Sequence, residues 1–395
     1  MQAAATMSEG GSRPDAAVQA APGPPRDPSH AGRPFRTTPR PSGSADDRPA
    51  RRRGPGLAGG LMVVLPLAVL LAFGVGGAEG SVLVLGPLTT FALPVAAVIA
   101  FWWENWPGTR LRAPWSGWAD TALIAAGGVA LTLAGQAATA RPDPAGVFDP
   151  GAGAAHAATF PATMPLAGAA FTAMLHLTLA CERWPLSRLD RRLAGLIALV
   201  ATWTAALAVV SAMVEVSVPV AGARAHAGLI GGAEFGALTV VAGTWETLLF
   251  VVLRGRPLNL IGSRAWRLTA NNAAVLAGTA LTYLLLSAGL GLAANTISAV
   301  CGCVIAGGLL AGMLFEARPG RAGQAGVLAL VAAVSTALFV LLTGLAGTQP
   351  WERATAADWV AYVALNAIGL SVILHVGIGR RWPFHDTSAL GKGTS

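Results

Sequence analysis

Hydrophobic and polar positions alternate along this chain in long blocks, not at short period. Ten apolar stretches, at roughly 57–77, 82–103, 117–138, 160–181, 193–214, 229–253, 272–292, 294–315, 324–346 and 357–379, each hold the length that crosses a bilayer. About 20 apolar residues suffice for a membrane-spanning helix. Every second stretch ends in the same punctuation: Glu104-Asn105-Trp106-Pro107, Glu182-Arg183-Trp184-Pro185, Arg254-Gly255-Arg256-Pro257, Glu316-Ala317-Arg318-Pro319 and Arg380-Arg381-Trp382-Pro383. A charge stands three before each proline, and Trp or Arg one before it. Two spans fit between successive beats. The pattern predicts an all-α polytopic membrane protein of about ten transmembrane helices. They would form five tandem hairpins, at about 57–107, 117–185, 193–257, 272–319 and 324–383.

The beat has a physical basis. The residue before proline resists the helical conformation, and an unpaired carbonyl is costly in hydrocarbon. A proline just past a span therefore marks an exit. Trp favours the headgroup layer, and Arg suits the negative end of a helix dipole. This makes Glu104, Trp106, Glu182, Trp184, Arg254, Arg256, Glu316, Arg318, Arg380 and Trp382 candidate anchors at one face. The three glutamates oppose the dipole and need cations. Arg110 and Arg112, Arg183 and Arg188, and Arg318 and Arg321 lie within a few residues of them. Such pairs either tie neighbouring hairpins into a ring or act as separate interfacial anchors.

Charge sets an expected orientation. Arginines 48–53, Arg110, Arg112, Arg183, Arg188, Arg191, Arg192, Arg254, Arg256, Arg264, Arg267, Arg318, Arg321, Arg380 and Arg381 fall on the side of the beats. Arg141, Arg224 and Arg353 fall on the other. Cationic loops stay cytoplasmic, so both termini and every beat are expected there, in the cell membrane. The net charge of +8 belongs to these short loops, so nucleic acid is not an expected partner; the bilayer is. Residues 1–56 are rich in Pro, Gly, Ser and Arg and hold hardly any large apolar side chain, which predicts a disordered cytoplasmic tail. Residues 384–395 form a short second tail. With 12% charged and 54% hydrophobic residues, the chain has no room for a sizeable soluble domain.

A few polar groups lie at membrane depth. Glu246 stands eleven residues before Pro257, about 16 Å from the exit at 1.5 Å per residue. A carboxylate there must face protein or water, or hold a proton. It is a candidate coupling residue, or an acid hydrogen-bonded to a neighbouring helix. His176 and His375 sit nine and eight residues before their prolines and are candidate relay or substrate contacts, or packed histidines. Asn366, near the middle of the last span, completes the candidate pathway set. Gln136, Asn271, Asn272 and Tyr283 read as interhelical hydrogen-bonding groups. His156 and His226 lie in two of the loops at the far side, with Glu215 and Glu234 near one of them; two His and a carboxylate can bind Zn²⁺, but nothing sets the required spacing, so no metal is expected. Cys301 and Cys303, two apart, point away from each other on a helix. Gly232 with Gly236, and Gly308 with Gly312, read as small-residue pairs for close helix approach. The odd-numbered spans are lighter, as at Ala125-Ala126-Gly127-Gly128, Ala277-Gly278 and Ala332-Ala333. They are expected inside, with the anchor-bearing even spans outside.

The layout of ten spans in five hairpins resembles the tellurite-resistance and slow anion channel family, in which five inner helices surround a pore. The resemblance is one of topology and carries no site residues. No nucleophile elbow, Walker loop, CxxC or HExxH is present, so an enzyme is the less favoured reading, and whether a cofactor binds is not legible. The expected function is a channel or transporter for a small solute or ion. An accessory or scaffold protein binding partners through loops or tail is the alternative. A third reading, an intramembrane enzyme acting on a lipid or quinone, requires Glu246, His176 and His375 to converge. Neither solute nor oligomeric state is legible.

Overall fold

A computed structural model describes residues 57–112, 115–149, 156–157, 159–215, 228–316 and 323–383. The two expected tails, the residues Arg318 and Arg321, and the loop holding Arg224 and His226 lie outside the described residues. Eleven helices follow in order among those described: α1 (Leu57–Phe73), α2 (Gly77–Trp102), α3 (Trp115–Thr139), α4 (Pro144–Phe148), α5 (Met164–Ala180), α6 (Arg191–Met213), α7 (Gly232–Val252), α8 (Arg264–Gly289), α9 (Ala294–Leu314), α10 (Gly323–Ala346) and α11 (Ala356–Ile378). A two-residue parallel pair, β1 (Val214–Glu215) with β2 (Ile230–Gly231), is the strand pairing described. Among the described residues, eight helices are long and apolar enough to cross a membrane; α1 and α5 are apolar and shorter. Helix α8 starts at Arg264, eight residues before the expected span, because polar Arg264–Asn272 continue the same helix toward the arginine-rich end.

The helices form two concentric layers. Helix α2 packs on α5, α5 on α7, α7 on α9, α9 on α11, and α11 returns to α2. This closed inner ring is where burial concentrates: 89% of the α2 window is buried, against 11% for α8. Helices α1, α3, α6, α8 and α10 pack outside it and expose leucines such as Leu276 and Leu281. The arrangement reverses the sequence expectation. The second helix of each expected hairpin is inside, and the lighter odd spans are outside.

The reason lies in what the small residues do. A Cβ on Gly128 would lie 2.8 Å from the side chain of Ala92, and one on Gly278 2.5 Å from the Trp245 ring. These glycines seat an outer helix on an inner one; they do not line the axis. Ala332 and Ala333 face outward.

Pairing also differs from hairpins closed at the beats. Helix α3 packs on α2, α6 on α5, α8 on α7 and α10 on α9, so each tight pair straddles a beat, while α1 rests on α11 and α2. A short connection favours antiparallel neighbours. The beats after α2, α5 and α7 are such turns, whereas far more residues separate α3 from α5 and α6 from α7. Glu79, at the start of α2, closes the ring there: its Oε1 accepts backbone N–H bonds from Glu352, Arg353 and Ala354 at 2.8, 2.6 and 2.9 Å.

Within the described residues the beats share one geometry. Each inner helix widens into a π-helical last turn, at 98–102, 176–180, 247–252, 310–314 and 373–378. Glu104, Glu182, Arg254, Glu316 and Arg380 then turn left-handed, with φ of 52°, 50°, 54°, 47° and 49°. In four of the copies the next residue donates its N–H six residues back: Asn105 to Ile99, Arg183 to Leu177, Gly255 to Leu249 and Arg381 to His375, at 2.7–2.9 Å. That bond satisfies one of the carbonyls a helix end leaves open.

Candidate functional site

The inner ring encloses a cavity of about 700 Å³ lined by all five of its helices. The sequence prepares it with a recurring step of four residues. Gly86 with Thr90 on α2, Gly168 with Thr172 on α5, and Gly243 with Thr247 on α7 each place a glycine and a threonine on one helical face. The glycines make the volume. A Cβ on Gly236 or Gly377 would meet nothing within 4 Å, so these positions border open space. Gly236 therefore lines the cavity and does not form the close helix contact expected of it; Gly232 also lines the cavity, with Pro165 of α5 at an ordinary 3.4 Å from its would-be Cβ. Gly308 and Gly312 do approach α7, with Thr247 and Val251 at 2.9 and 3.2 Å from the would-be Cβ atoms. The repeated Gly-x3-Thr spacing was the available sequence signal for this lining, and sequence reasoning missed it.

Polar groups in the lining fall into two sets. Several are occupied: Thr90 Oγ1 donates to Gly86 O at 2.7 Å, Thr172 Oγ1 to Thr239 O at 3.2 Å, and Thr239 Oγ1 to Gly236 O at 2.7 Å. Others have no hydrogen-bond partner among the described residues and are not enclosed by protein: the side chains of Thr247, Asn295 and Ser298, and Asn366 Oδ1. The charged lining residues are Glu215, Glu234, Arg353 and Asp358, all toward the end opposite the beats. Asp358 caps α11, accepting from Thr355 N at 2.9 Å.

Of the candidate pathway residues, Asn366 is the one in this lining. Its Nδ2 donates to Thr90 Oγ1 at 2.8 Å, fastening α11 to α2. Glu246 and His176 lie on other faces of α7 and α5 and meet each other: His176 Nδ1 stands 2.9 Å from Glu246 Oε1. His176 Nε2 stands 2.8 Å from Asn272 Oδ1 on the outer helix α8. Asn272 Nδ2 donates to Leu268 O at 2.8 Å, which fixes the amide's orientation. Nε2 therefore carries a proton, and the imidazole and carboxyl share one more between Nδ1 and Oε1. Cys181 Sγ reaches Asn272 Oδ1 at 3.7 Å. Glu246 is fully buried and its Oε2 has no partner.

His375 does not join them. It is buried on α11 with Nδ1 unpartnered, while its backbone carbonyl takes the Arg381 bond of the beat. The three ionisable groups that an intramembrane enzyme would need are thus not one site.

The cluster's partners show its effect. Helix α8 buries few apolar side chains, and polar contacts hold it to the inner ring. Asn271 Nδ2 donates to Ala180 O at 3.0 Å, Trp245 Nε1 to Thr282 Oγ1 at 3.1 Å, and Arg267 grips Glu182 at both oxygens, at 2.5 and 3.0 Å.

At the arginine-rich end, the glutamates find cations from other helices. Glu104 pairs with Arg191 of α6, Glu182 with Arg267 and Arg264 of α8, and Glu316 with Arg381 beyond α11. The Arg267 side chain beside Glu182 holds its carboxyl below the ordinary value. Trp106 turns inward, with Arg192 4.4 Å and Arg110 5.5 Å from its ring and its Nε1 buried, so it has no wet N–H. Trp184 and Trp382 are exposed, as are Arg254, Arg256 and Arg380. At the opposite end Asp143 organises the loop after α3. It accepts from Ala157 N at 3.0 Å and meets His156 Nδ1 at 3.0 Å, which take its carboxyl down to about 2. Among the described residues no group of three or more His, Cys, Asp or Glu is placed to hold a metal ion.

The helix lengths and apolar surfaces are those compatible with a multi-pass membrane protein. No protein-family model, curated protein or solved structure matches the chain.

Proposed function

We propose that this chain is a multi-pass channel or transporter of the cell membrane whose path runs along the axis of the inner ring. The observation that carries this reading is the cavity. All five inner helices contribute to it, and its lining includes Glu234 and Arg353 toward one end and Phe101, Met313 and Gly377 toward the other. All ten long helices cross in this reading, α1 and α5 included. The 17 residues of α5 cover about 26 Å, near the thickness of a bilayer core. The repeating unit is an inner helix, its beat and the outer helix that follows. The arginine excess at the beats supports placing them, and both termini, in the cytoplasm. Asn366 belongs to the path, the beat residues anchor its cytoplasmic face, and Glu246 with His176 holds α8 to the ring.

Labelling tests the path. Thr247→Cys, with the three native cysteines changed to Ala, is expected to react with a membrane-impermeant thiol reagent added to at least one side. Adding Gly236→Phe is expected to slow that reaction at least about tenfold, as an obstruction in the route would. A Thr247→Cys unreactive from both sides removes the path.

A further inference from the structure

The cavity's chemistry narrows what it holds. Away from its charged end, every lining side chain is uncharged, and most are Gly, Ala, Val, Leu or Phe. An inorganic ion there would give up its water for a wall with few dipoles to replace it. An apolar body loses nothing by entering, and about 700 Å³ lies within the range of pockets that enclose a drug-sized molecule.

One polar feature is built to meet a ligand. Thr90 gives its own proton to Gly86 O, so Thr90 Oγ1 accepts from Asn366 Nδ2. The amide is thereby fixed, and its Oδ1, without a partner and not enclosed by protein, is left to the cavity as an acceptor. The Thr247 and Ser298 hydroxyls and the Asn295 amide are the other open groups among the described residues. Away from that charged end, the lining offers hydrogen bonds to a neutral group and no countercharge to an ion.

We infer that the cavity takes an uncharged, lipid-like molecule with an apolar body and a hydroxyl that donates to Asn366 Oδ1. The inference deepens the proposed path by naming its cargo class, and binding can be read without any flux. Tritiated 1-dodecanol is the probe, measured at equilibrium on the full chain in lipid nanodiscs against empty discs. The expected result is saturable binding of one molecule per chain, competed by dodecane and not by sodium chloride. Asn366→Leu is expected to weaken dodecanol about tenfold, the scale of one hydrogen bond, and to leave dodecane unchanged. Gly236→Phe is expected to abolish both while the melting temperature holds, because its side chain enters open space. No saturable dodecanol binding in the wild type overturns the inference. So does an equal loss of dodecanol and dodecane in Asn366→Leu, or preferential binding of dodecyltrimethylammonium. Binding without a reactive Thr247→Cys contradicts the path alone; a reactive path without binding contradicts the cargo class alone.

Discussion

The central cavity and the His176–Glu246 cluster use different faces of the same two helices, α5 and α7, and treat polar groups in opposite ways. In the cluster both imidazole nitrogens, the Asn272 amide and one carboxyl oxygen are spent on each other, and the result is a fastening for an outer helix. In the cavity, Asn366 Oδ1 and the side chains of Thr247, Asn295 and Ser298 are left without partners among the described residues, beside open space. A polar residue at membrane depth is therefore not a pathway residue by its type. What distinguishes the two places is where unspent capacity lies: Glu246 Oε2 has no partner but is sealed in protein, whereas Asn366 Oδ1 borders open space.

The comparison breaks most readily at Glu246. Glu246→Ala leaves His176 Nδ1 without its partner and should lower stability by about 3 kcal/mol, the low end for splitting a buried pair because the imidazole is 26% exposed. Denaturant unfolding in detergent measures it, and a loss under 1 kcal/mol would show that the pair is not the fastening. Gly236→Phe, on the cavity side, should leave that transition unmoved. Gly278→Val comes next. It forces a branched side chain into the Trp245 ring and should cost about 1–3 kcal/mol by lifting α8.

Arg267→Ala should cost about 1 kcal/mol or less, because the Glu182 pair is partly exposed. Its pH signature follows from the depressed carboxyl. The Glu182 contribution is full above the unfolded value of 4.5 and fades as pH falls through the lower folded value. In Arg267→Ala that acid-side loss should shrink. The smallest effect is local. Asp143 supports its loop above the ordinary value of 3.8 and releases it as pH falls toward about 2. Hydrogen exchange at Gly146 and Ala157 should rise over that window, and Asp143→Asn should show the faster exchange already at neutral pH.

The helical class and the positions of the beats were legible because apolar runs and prolines act locally. Which layer each helix occupies was not. Small residues at 125–128 and 277–278 read equally well as axis lining or as an outer helix's seat, and a run of apolar residues carries no mark of which face meets lipid. The anchors pointed outward for a sound reason, since Trp and Arg favour an interface. Yet the interface also lies at the ends of inner helices, and Trp106 packs under Arg192 instead of reaching water. The cation partners of Glu104 and Glu182 come from α6 and α8, so no search of neighbouring residues finds them. His176 and Glu246 were visible as unusual residues, but their meeting across 70 positions belongs to the fold.

The most direct test of the two-layer account is paired spin labelling in lipid vesicles, at Gly236 of the inner ring and at Leu281 of α8. The account predicts that the label at 236 is relaxed chiefly by a water-soluble nickel chelate and the label at 281 chiefly by oxygen dissolved in lipid. The reverse preference, with oxygen at 236 and the chelate at 281, would contradict the placement of α7 inside and α8 outside, and with it the path.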